Sequence, residues 1–332
     1  MQKIPVLVIF APTASGKTAL LKNLFAAGSP YFFKGCAEII SADSMQVYKG
    51  MDIGTAKPDA ELLEELPHHL INLYTPDCQF SAQKFVEYAD EACRSIWSRG
   101  KIPVVAGGTG FYIKAFLMGL PPTPPGNAEI RSAIAKRIES EGLDVLYAEL
   151  CKIDMKTASR ISPSDACRIS RALEVFECTG RPLSSFAVPQ TLRTQYNFCT
   201  LILGRGRQEL YSRINQRVEQ MFSLGLSQEF DSLVRQGYSL LSPGMAAIGY
   251  REFFEYFPHG IGEISQPQTL EKLEKIKELV KKNTRHYAKK QCTLMKNIPG
   301  ASFCPLTSGE SVPATILQKI SDFLAVILDV KS

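Results

Sequence analysis

The feature that most constrains the fold is a glycine-lysine loop near the start of the chain, at residues 11–18. It reads Ala-Pro-Thr-Ala-Ser-Gly-Lys-Thr and lies between an apolar run typical of a strand and a pattern typical of a helix. In such a loop, backbone N–H groups and the positive end of the helix dipole surround a phosphate group. Lys17 adds a positive charge, and the Thr18 hydroxyl can ligate Mg²⁺. The loop therefore predicts a phosphate or diphosphate site.

The first third of the chain alternates short β-branched runs with helical patterns, which is typical of a parallel sheet covered on both faces. We predict strands at residues 6–10, 38–41, 70–73, 103–106 and 198–203. We predict helices at 17–26, 81–99, 111–117, 209–224, 227–236, 245–257 and 269–296. Residues 128–185 also have helical periodicity, whereas the segment after residue 299 supports no prediction. The sequence thus predicts an α/β fold: a P-loop-type parallel sheet flanked by helices (1–113 and 198–332) with an inserted all-helical domain (114–197).

Composition excludes several other classes of protein. The longest apolar runs, such as 6–10 and 323–328, fall far short of the roughly 20 residues that cross a bilayer. The first residues lack the charged and apolar regions of an export signal, so we expect a cytoplasmic protein without a membrane span. The nine cysteines are irregularly spaced and include no C-x-x-C pair, which favours reduced thiols. We expect the pair His68-His69 to lie at a strand entry or in the core.

Polar motifs follow several of the predicted strands. Asp43 comes after the second strand, Gly107-Gly108-Thr109-Gly110 after the fourth, and Arg205-Gly206-Arg207 after the fifth. The carboxyl ends of parallel strands share one edge of a sheet, where ligands bind, so these motifs should meet the glycine-lysine loop. From the residues alone, Asp43 is either a Mg²⁺ ligand, as in a kinase, or a base facing an acceptor, as in another transferase.

The motifs resemble those of the bacterial tRNA dimethylallyltransferases. The most specific is the sixteen-residue block 43–58, Asp-Ser-Met-Gln-Val-Tyr-Lys-Gly-Met-Asp-Ile-Gly-Thr-Ala-Lys-Pro. The resemblance covers roughly residues 4–296 and continues in the same order through segments 67–71, 107–112, 165–175, 179–180, 217–222, 247–251 and 284–291.

The resemblance implies transfer of a five-carbon dimethylallyl group from its diphosphate to N6 of the adenosine next to the anticodon on its 3′ side. It also implies that Asp43 accepts the N6 proton, that Thr109 positions the amino group, and that Thr18 holds Mg²⁺, the expected cofactor. The residues expected to bind the diphosphate are Thr13, Ala14, Ser15, Gly16, Lys17, Thr18 and Arg217.

The family's tRNA contacts would fall on Ser44, Met45, Gln46, Arg131, Arg168, Arg171, Arg251, Arg285, Lys289 and Lys290. For Arg168, Arg171 and Arg251, pairing with a nearby Asp165, Glu174 or Glu252 is an equally good alternative. Residues 271–296 hold nine Lys or Arg against three Glu, a local net charge of +6 that suits RNA phosphates. We expect Phe111 and Tyr112 to be core residues rather than base-stacking residues.

The chain departs from the family's usual pattern at three places: Ala11 replaces a glycine, Ala246 stands where arginine or glutamine is common, and residues 292–296, which include Leu294, lack the tryptophan and arginine expected after the glutamine. Three alternatives remain open at this point: a small-molecule kinase, an enzyme that prenylates free adenine nucleotides, and a non-catalytic RNA-binding protein with a nucleotide-dependent switch. The expected partners are the tRNA anticodon stem-loop and dimethylallyl diphosphate, and the expected state is a monomer.

Overall fold

The computed structural model describes residues 3–31, 33–262, 266–307 and 312–329, with side chains of the last helix described as far as residue 325. It contains a six-stranded parallel sheet. The strands are β1 (Ile4–Phe10), β2 (Ala37–Ser41), β3 (His68–His69), β4 (Ile102–Gly107), β5 (Tyr196–Gly204) and β6 (Ala301–Pro305).

The strand order across the sheet is β3-β2-β4-β1-β5-β6, which places β1 near the centre. Leu7 of β1 pairs with Val104 of β4 on one side and with Cys199 of β5 on the other. Residues 5–10 of β1 are buried because helices cover both faces of the sheet. The site predicted at the end of β1 therefore lies at the end of a buried strand paired on both sides.

Thirteen α-helices accompany the strands in the part of the chain that the structure describes. They are α1 (Lys17–Phe25), α2 (Ala60–Glu65), α3 (Ala82–Ser98), α4 (Gly110–Met118), α5 (Ala128–Glu141), α6 (Leu143–Ile153), α7 (Met155–Ala158), α8 (Ala166–Thr179), α9 (Arg207–Ser223), α10 (Leu226–Arg235), α11 (Arg251–Phe254), α12 (Pro267–Met295) and α13 (Ala314–Asp329). None of the helices within the described residues is long and apolar enough to cross a membrane.

The α/β fold and four of the five predicted strands are confirmed, but two local predictions fail and two elements were not predicted. The strand predicted at 70–73 is wrong because Leu70 and Asn72 have φ values of +65° and +56°, in the left-handed region, which ends the strand after residue 69. The helix predicted at 245–257 is reduced to α11, because Gly249 has φ +98°. Strand β6 and helix α13 were not predicted.

Contacts divide the chain into two compact units, Met1–Leu117 with Leu192–Ser332 and, separately, Met118–Thr191. The second unit is helical, and its core contains Ile134, Leu146, Leu150, Ala158, Ile169, Ala172 and Leu173. Asn127 and Asp165 cap its helices α5 and α8 by accepting hydrogen bonds from backbone N–H groups of the first turns. The unit is four to six residues shorter at each end than the predicted insertion 114–197.

The pair His68-His69 opens β3 beside a buried acidic residue. Glu38 of β2 accepts from His69 Nε2 at 2.7 Å and pairs with Arg99 at 2.6 Å and Lys101 at 3.1 Å. His68 Nδ1 donates to the carbonyl oxygen of Leu66 at 2.6 Å. Among the described residues, no group of three His, Cys, Asp or Glu side chains could hold a metal ion. The pair therefore has the strand-entry role that the sequence predicted.

We expect His68 to make stability depend on pH in the acid range. Burial disfavours the charged form of His68 and lowers its pKa to about 4. Between about pH 6.5 and 4, His68 is therefore protonated in the unfolded chain but neutral in the folded chain. The free energy of unfolding should fall by about 1–2 kcal/mol between pH 6.5 and 5 because of this residue. Urea denaturation at pH 7 and pH 5 tests this with His68→Asn, whose amide can still donate to Leu66. Identical pH dependence in both proteins would contradict the prediction.

Candidate active site

The ends of β2 and β4 approach each other unusually closely, and glycine makes this possible. A Cβ on Gly107 would lie 2.0 Å from the carbonyl oxygen of Ala42. That same oxygen accepts a hydrogen bond from Thr109 N at 3.1 Å. Any side chain at residue 107 would separate the two strand ends, so this glycine is what places Thr109 beside the residues that follow β2.

Asp43 follows β2 in a tight turn beside Thr109. Its Oδ1 accepts from Met45 N at 2.9 Å and from Gln46 N at 3.4 Å. Thr109 Oγ1 accepts from Ser44 N at 3.0 Å and lies 3.3 Å from Ser44 Oγ. The carboxylate is therefore held through one oxygen only among the described hydrogen bonds. This leaves Oδ2 available to a substrate.

The glycine-lysine loop lines a cavity of about 540 Å³, here called the phosphate-loop cavity. Gly16, with φ +98°, turns the chain from β1 into α1 in a conformation that side chains rarely adopt. The buried hydroxyl oxygen of Ser15 has no hydrogen-bond partner within the described residues. A buried orphan hydroxyl in a loop of this kind is what a site for a phosphate oxygen requires.

Two partly buried cations line the same cavity. Burial lowers the pKa of Lys17 and of Arg217, and the charge of Asp43 partly offsets this for both residues. The charge of Arg217 further lowers the pKa of Lys17, and the charge of Arg213 further lowers that of Arg217, because like charges repel. Such a cluster is unfavourable without an anion, so the cavity is electrostatically suited to a diphosphate.

Two further arginines bind carbonyl groups of the loop: Arg205, which the sequence placed at this edge of the sheet without a role, and Arg213, which it did not identify. Arg205 Nε donates to the carbonyl oxygen of Ser15 at 2.6 Å, and Arg213 Nε donates to that of Ala14 at 2.8 Å. Glu209 forms an ion pair with Arg205 and fixes its guanidinium group. These bonds hold the carbonyl groups of Ala14 and Ser15 in place. The only signal in the sequence was that Arg205 follows a strand.

Helix α12 closes the site through its inner face. Gln291 Oε1 accepts from Thr13 N at 3.0 Å, and Gln291 Nε2 donates to Gly108 O at 2.6 Å. A Cβ on Gly108 would lie 2.5 Å from that nitrogen, so the close contact depends on glycine. Gln291 thus links the glycine-lysine loop to the strand end that carries Thr109. Residues 284–291 belong to the family resemblance, but the sequence assigned no role to Gln291.

A second, mainly apolar cavity of about 300 Å³ adjoins the first, and we call it the apolar cavity. Its lining includes Met45, Ile214, Val218, Met221, Ala246, Ala247, Ile248 and Val280. Five residues line both cavities: Thr13, Asp43, Thr55, Arg217 and Tyr287. Burial, and next the charge of Asp43, raise the pKa of Tyr287 to about 12, so its hydroxyl is neutral and can donate. Asp43 therefore lies between a cavity suited to an anion and an apolar cavity.

The residues expected to contact tRNA in this unit have several different environments. Ser44, Met45 and Arg251 line the apolar cavity. Gln46 is buried and bonded within the protein, accepting from Ser41 Oγ at 2.9 Å. Arg251 is half-exposed and pairs with Glu252 at 3.2 Å. The expectation that Phe111 is a core residue is wrong, since it is 60% exposed, whereas Tyr112 is buried against Phe85.

Only some of the positive charges of residues 271–296 are free to bind RNA, because several of these cations pair within the protein. Lys277 and Lys281 turn inward and pair with Glu219 of α9 at 3.1 and 2.5 Å. Lys275 pairs with Glu271, and Arg285 donates to Asn215 at 2.6 Å. Lys289 and Lys290 are exposed, and their positive charges remain available to an anionic partner. Part of the charge therefore stabilises the packing of α12 on α9.

In the second unit, two of the predicted tRNA-binding arginines converge on one buried carboxylate. Glu174 pairs with Arg131 at 2.8 Å and with Arg171 at 2.6 Å. Burial alone would raise the pKa of Glu174, but these bonds and one from Asn127 N hold it below its ordinary value. Arg168 pairs with Asp165 at 3.2 Å. Arg168 and Arg171 thus have the intramolecular partners that the sequence offered as the alternative to tRNA, whereas the pairing of Arg131 with Glu174 was not predicted.

Comparison with known proteins decides the family. The family model described as IPP transferase matches residues 46–298. The chain belongs to the IPP transferase family. It is 44% identical to tRNA dimethylallyltransferase 2 of Geotalea uraniireducens over 88% of this chain and 89% of that protein. It is 39% identical to tRNA dimethylallyltransferase of Geobacter sulfurreducens over 96% and 97% of the two chains.

Solved structures of related enzymes agree in fold. The full-length tRNA isopentenylpyrophosphate transferase of Bacillus halodurans is 34% identical, with a TM-score of 0.65 over 99% of this chain and 98% of that one. A eukaryotic dimethylallyltransferase acting on tRNA is 26% identical, with a TM-score of 0.72 over 97% of this chain and 79% of that one.

The three departures from the IPP transferase pattern lie at tolerant positions. Ala11 is fully buried, and its N–H donates to Gly107 O at 3.1 Å, so its methyl group becomes part of the core. Leu294 packs on Gly110, where a Cβ would lie 2.3 Å from Leu294 Cδ2. Ala246 lines the apolar cavity without a polar group. None of them changes Asp43, Lys17, Thr109 or Arg217.

Proposed function

We propose that this enzyme transfers a dimethylallyl group from dimethylallyl diphosphate to N6 of the adenosine next to the anticodon, on its 3′ side, in tRNA. The observation that carries the proposal is the position of Asp43 and Arg217, which line both the phosphate-loop cavity and the apolar cavity. A group that leaves as an anion in one cavity can therefore be replaced by a nucleophile from the other. The relatives' names, tRNA dimethylallyltransferases, are consistent with this chemistry.

The donor diphosphate would lie in the phosphate-loop cavity. Thr13 N and Ser15 N already donate within the protein, to Gln291 and to Pro12, so Ala14, Gly16, Lys17 and Thr18 would offer their backbone N–H groups to the diphosphate. Lys17 and Arg217 would add their charges, and Ser15 its orphan hydroxyl. As the bond between C1 of the donor and oxygen breaks, negative charge grows on the departing diphosphate. Partly buried cations stabilise that charge strongly because the surroundings are poorly solvated.

The phosphate-loop cavity fits a magnesium ion that is bound mainly by the diphosphate and water and by one protein ligand. The described residues provide no cluster of acidic ligands, but Thr18 lines the cavity beside the expected diphosphate oxygens. Mg²⁺ commonly keeps several waters and binds through few protein ligands plus substrate phosphates. When bound, the ion would neutralise charge on the leaving group. Thr18 is the residue that would hold it.

Asp43 would act as the general base. An adenine N6 is a weak nucleophile, because its lone pair is delocalised into the ring, and its proton becomes acidic as the bond from N6 to C1 forms. The free Oδ2 of Asp43 would accept that proton, while Thr109 would orient the amino group. The target base must leave the stack of the anticodon loop to reach this position, and the apolar cavity offers it a site.

The tRNA would be held by exposed cations around the site. Lys289 and Lys290 on α12 are the strongest candidates in the first unit, together with Arg251 and Arg285. In the second unit, Arg131, Arg168 and Arg171 remain candidates that would have to exchange or share their carboxylate partners. We further propose that the enzyme acts as a cytoplasmic monomer.

One labelling experiment tests the proposal against its alternatives. The enzyme is incubated with radiolabelled dimethylallyl diphosphate, Mg²⁺ and either unmodified tRNA, AMP or ATP as acceptor. We expect label in tRNA alone. Label in AMP or ATP would identify an adenine-nucleotide prenyltransferase instead, and phosphoryl transfer from labelled ATP without prenyl transfer would identify a kinase. Binding of tRNA without any transfer would support a non-catalytic RNA-binding protein.

A further inference from the structure

A short turn, residues 52–55, forms a wall common to the two cavities, and we call it the partition turn. Thr55 lines both the phosphate-loop cavity and the apolar cavity, and Gly54 lines the apolar one. Gln46 donates to the carbonyl oxygens of Thr55 and Ala56 at 3.4 and 3.3 Å, at the base of the same turn. The position of this backbone therefore sets the shape of both sites.

One carboxylate holds the partition turn in place. Glu229, in the first turn of α10, accepts hydrogen bonds from three consecutive backbone N–H groups. Its Oε2 accepts from Asp52 N at 2.9 Å and Ile53 N at 2.8 Å, and its Oε1 accepts from Gly54 N at 3.0 Å. Glu229 itself lines neither of the two cavities, so its effect on them is transmitted through the turn.

A buried tyrosine completes this arrangement. Tyr250 donates its hydroxyl to Glu229 Oε1 at 2.6 Å, and burial raises the pKa of Tyr250 well above its usual value, so the hydroxyl remains a donor. Its ring occupies the place of a side chain at Gly54, where a Cβ would lie 2.5 Å from the ring. The turn is thus pressed between a ring on one side and a carboxylate on the other.

We propose that Glu229 is a positioning residue that keeps water from the donor while the acceptor is being prenylated. The inference rests on the proposed function. An activated allylic carbon reacts with whichever nucleophile reaches it, and exclusion of water is what directs it to the intended one. If the partition turn moves, the two cavities merge and the acceptor base no longer fills the space beside C1.

The competing reaction is hydrolysis of the donor. Water attacks C1 of dimethylallyl diphosphate, the bond from C1 to oxygen breaks, and the diphosphate departs. The products are 3-methylbut-2-en-1-ol, diphosphate and one proton released to solvent. No oxidant or additional reactant is needed. The quantity that reports on Glu229 is therefore the ratio of labelled alcohol to labelled tRNA in a single reaction.

The experiment compares Glu229→Gln with the unmodified enzyme, using donor labelled in its five-carbon group, Mg²⁺ and tRNA. The glutamine amide has one NH₂ group in place of a carboxylate oxygen, and this group cannot accept from the backbone N–H groups of residues 52–54 or from Tyr250. The partition turn should therefore shift. We expect the ratio of alcohol to prenylated tRNA to rise about tenfold or more, because small displacements of reacting groups have effects of this size. Tyr250→Phe, which removes a single hydrogen bond, should raise the ratio in the same direction by less.

Glu38→Gln is the matched control. Glu38 is also a buried carboxylate with several partners, but it lines neither cavity. Loss of folded enzyme lowers both products together, so this control should leave the ratio unchanged even if it lowers stability. An unchanged ratio in Glu229→Gln, with tRNA still prenylated, would overturn the inference alone. Absence of tRNA prenylation by the unmodified enzyme would instead overturn the proposed function.

Discussion

Asp43→Asn should lower turnover about 10²-fold or more while leaving tRNA affinity nearly intact, since removal of a general base has an effect of this order. The asparagine carbonyl oxygen can still accept from Met45 N and Gln46 N, so the turn should keep its shape. What disappears is the ability to accept a proton from N6. Single-turnover rates with saturating donor, together with filter binding of tRNA, measure the two quantities separately.

The control for this prediction is Asp59→Asn. Asp59 also lines the phosphate-loop cavity, but its carboxylate caps α2 by accepting from Leu62 N at 2.9 Å. Its substitution removes a negative charge from the same cavity without removing the proposed base, and we expect a much smaller loss of turnover. Equal losses in tRNA binding and in rate for Asp43→Asn would refute the role assigned to Asp43.

Lys17→Met is the second substitution with a large expected effect. The loss of a partly buried charge facing the leaving group should lower kcat/KM for dimethylallyl diphosphate by about 10²–10³-fold. The same change should not destabilise the protein without ligand. Burial lowers the pKa of Lys17, which means that the folded state disfavours its charge, and methionine removes that penalty.

Thermal unfolding with and without inorganic pyrophosphate separates these effects. We expect the unmodified enzyme to be stabilised by pyrophosphate and Lys17→Met to lose most of that stabilisation. Lys57→Met provides the contrast. Lys57 is equally enclosed but donates to Tyr48 O, Asp52 Oδ1 and Asn72 Oδ1, so its loss should destabilise the protein. A fully retained pyrophosphate effect in Lys17→Met would exclude Lys17 from the diphosphate site.

Local sequence patterns were sufficient to predict the sheet and one edge of the site. Four strands and the glycine-lysine loop are short-range features, and each depends on residues within about a dozen positions of one another. The rule that strand ends converge then placed Asp43 and Thr109 at the same edge. Asp43 lines the cavity of that loop, and the hydrogen bond from Ser44 N to Thr109 Oγ1 joins the two strand ends. The roles of these residues in catalysis and tRNA binding remain predictions.

Residues whose roles depend on distant partners were missed or misassigned. The sequence counted Lys277 and Lys281 among the cations suited to RNA. In the structure, the packing of α12 on α9 pairs both with Glu219. Leu70 has a left-handed backbone conformation, which contradicts the strand predicted at 70–73. No neighbouring residue in the sequence indicates that conformation. Strand β6 lies at the edge of the sheet, and Cys304 is its one buried residue, so its segment shows no apolar alternation although Pro299-Gly300 forms a turn before it.

The sequence by itself determined that this chain forms a parallel α/β sheet with a phosphate site at the end of its first strand, because alternation of apolar residues and loop chemistry are encoded between near neighbours. Only the tertiary structure decided what completes the site. Gln291 joins Thr13 to Gly108 across 278 and 183 positions, and Glu229 reaches the partition turn across about 175. Such contacts depend on how α10 and α12 pack on the sheet, and that packing is a property of the whole core.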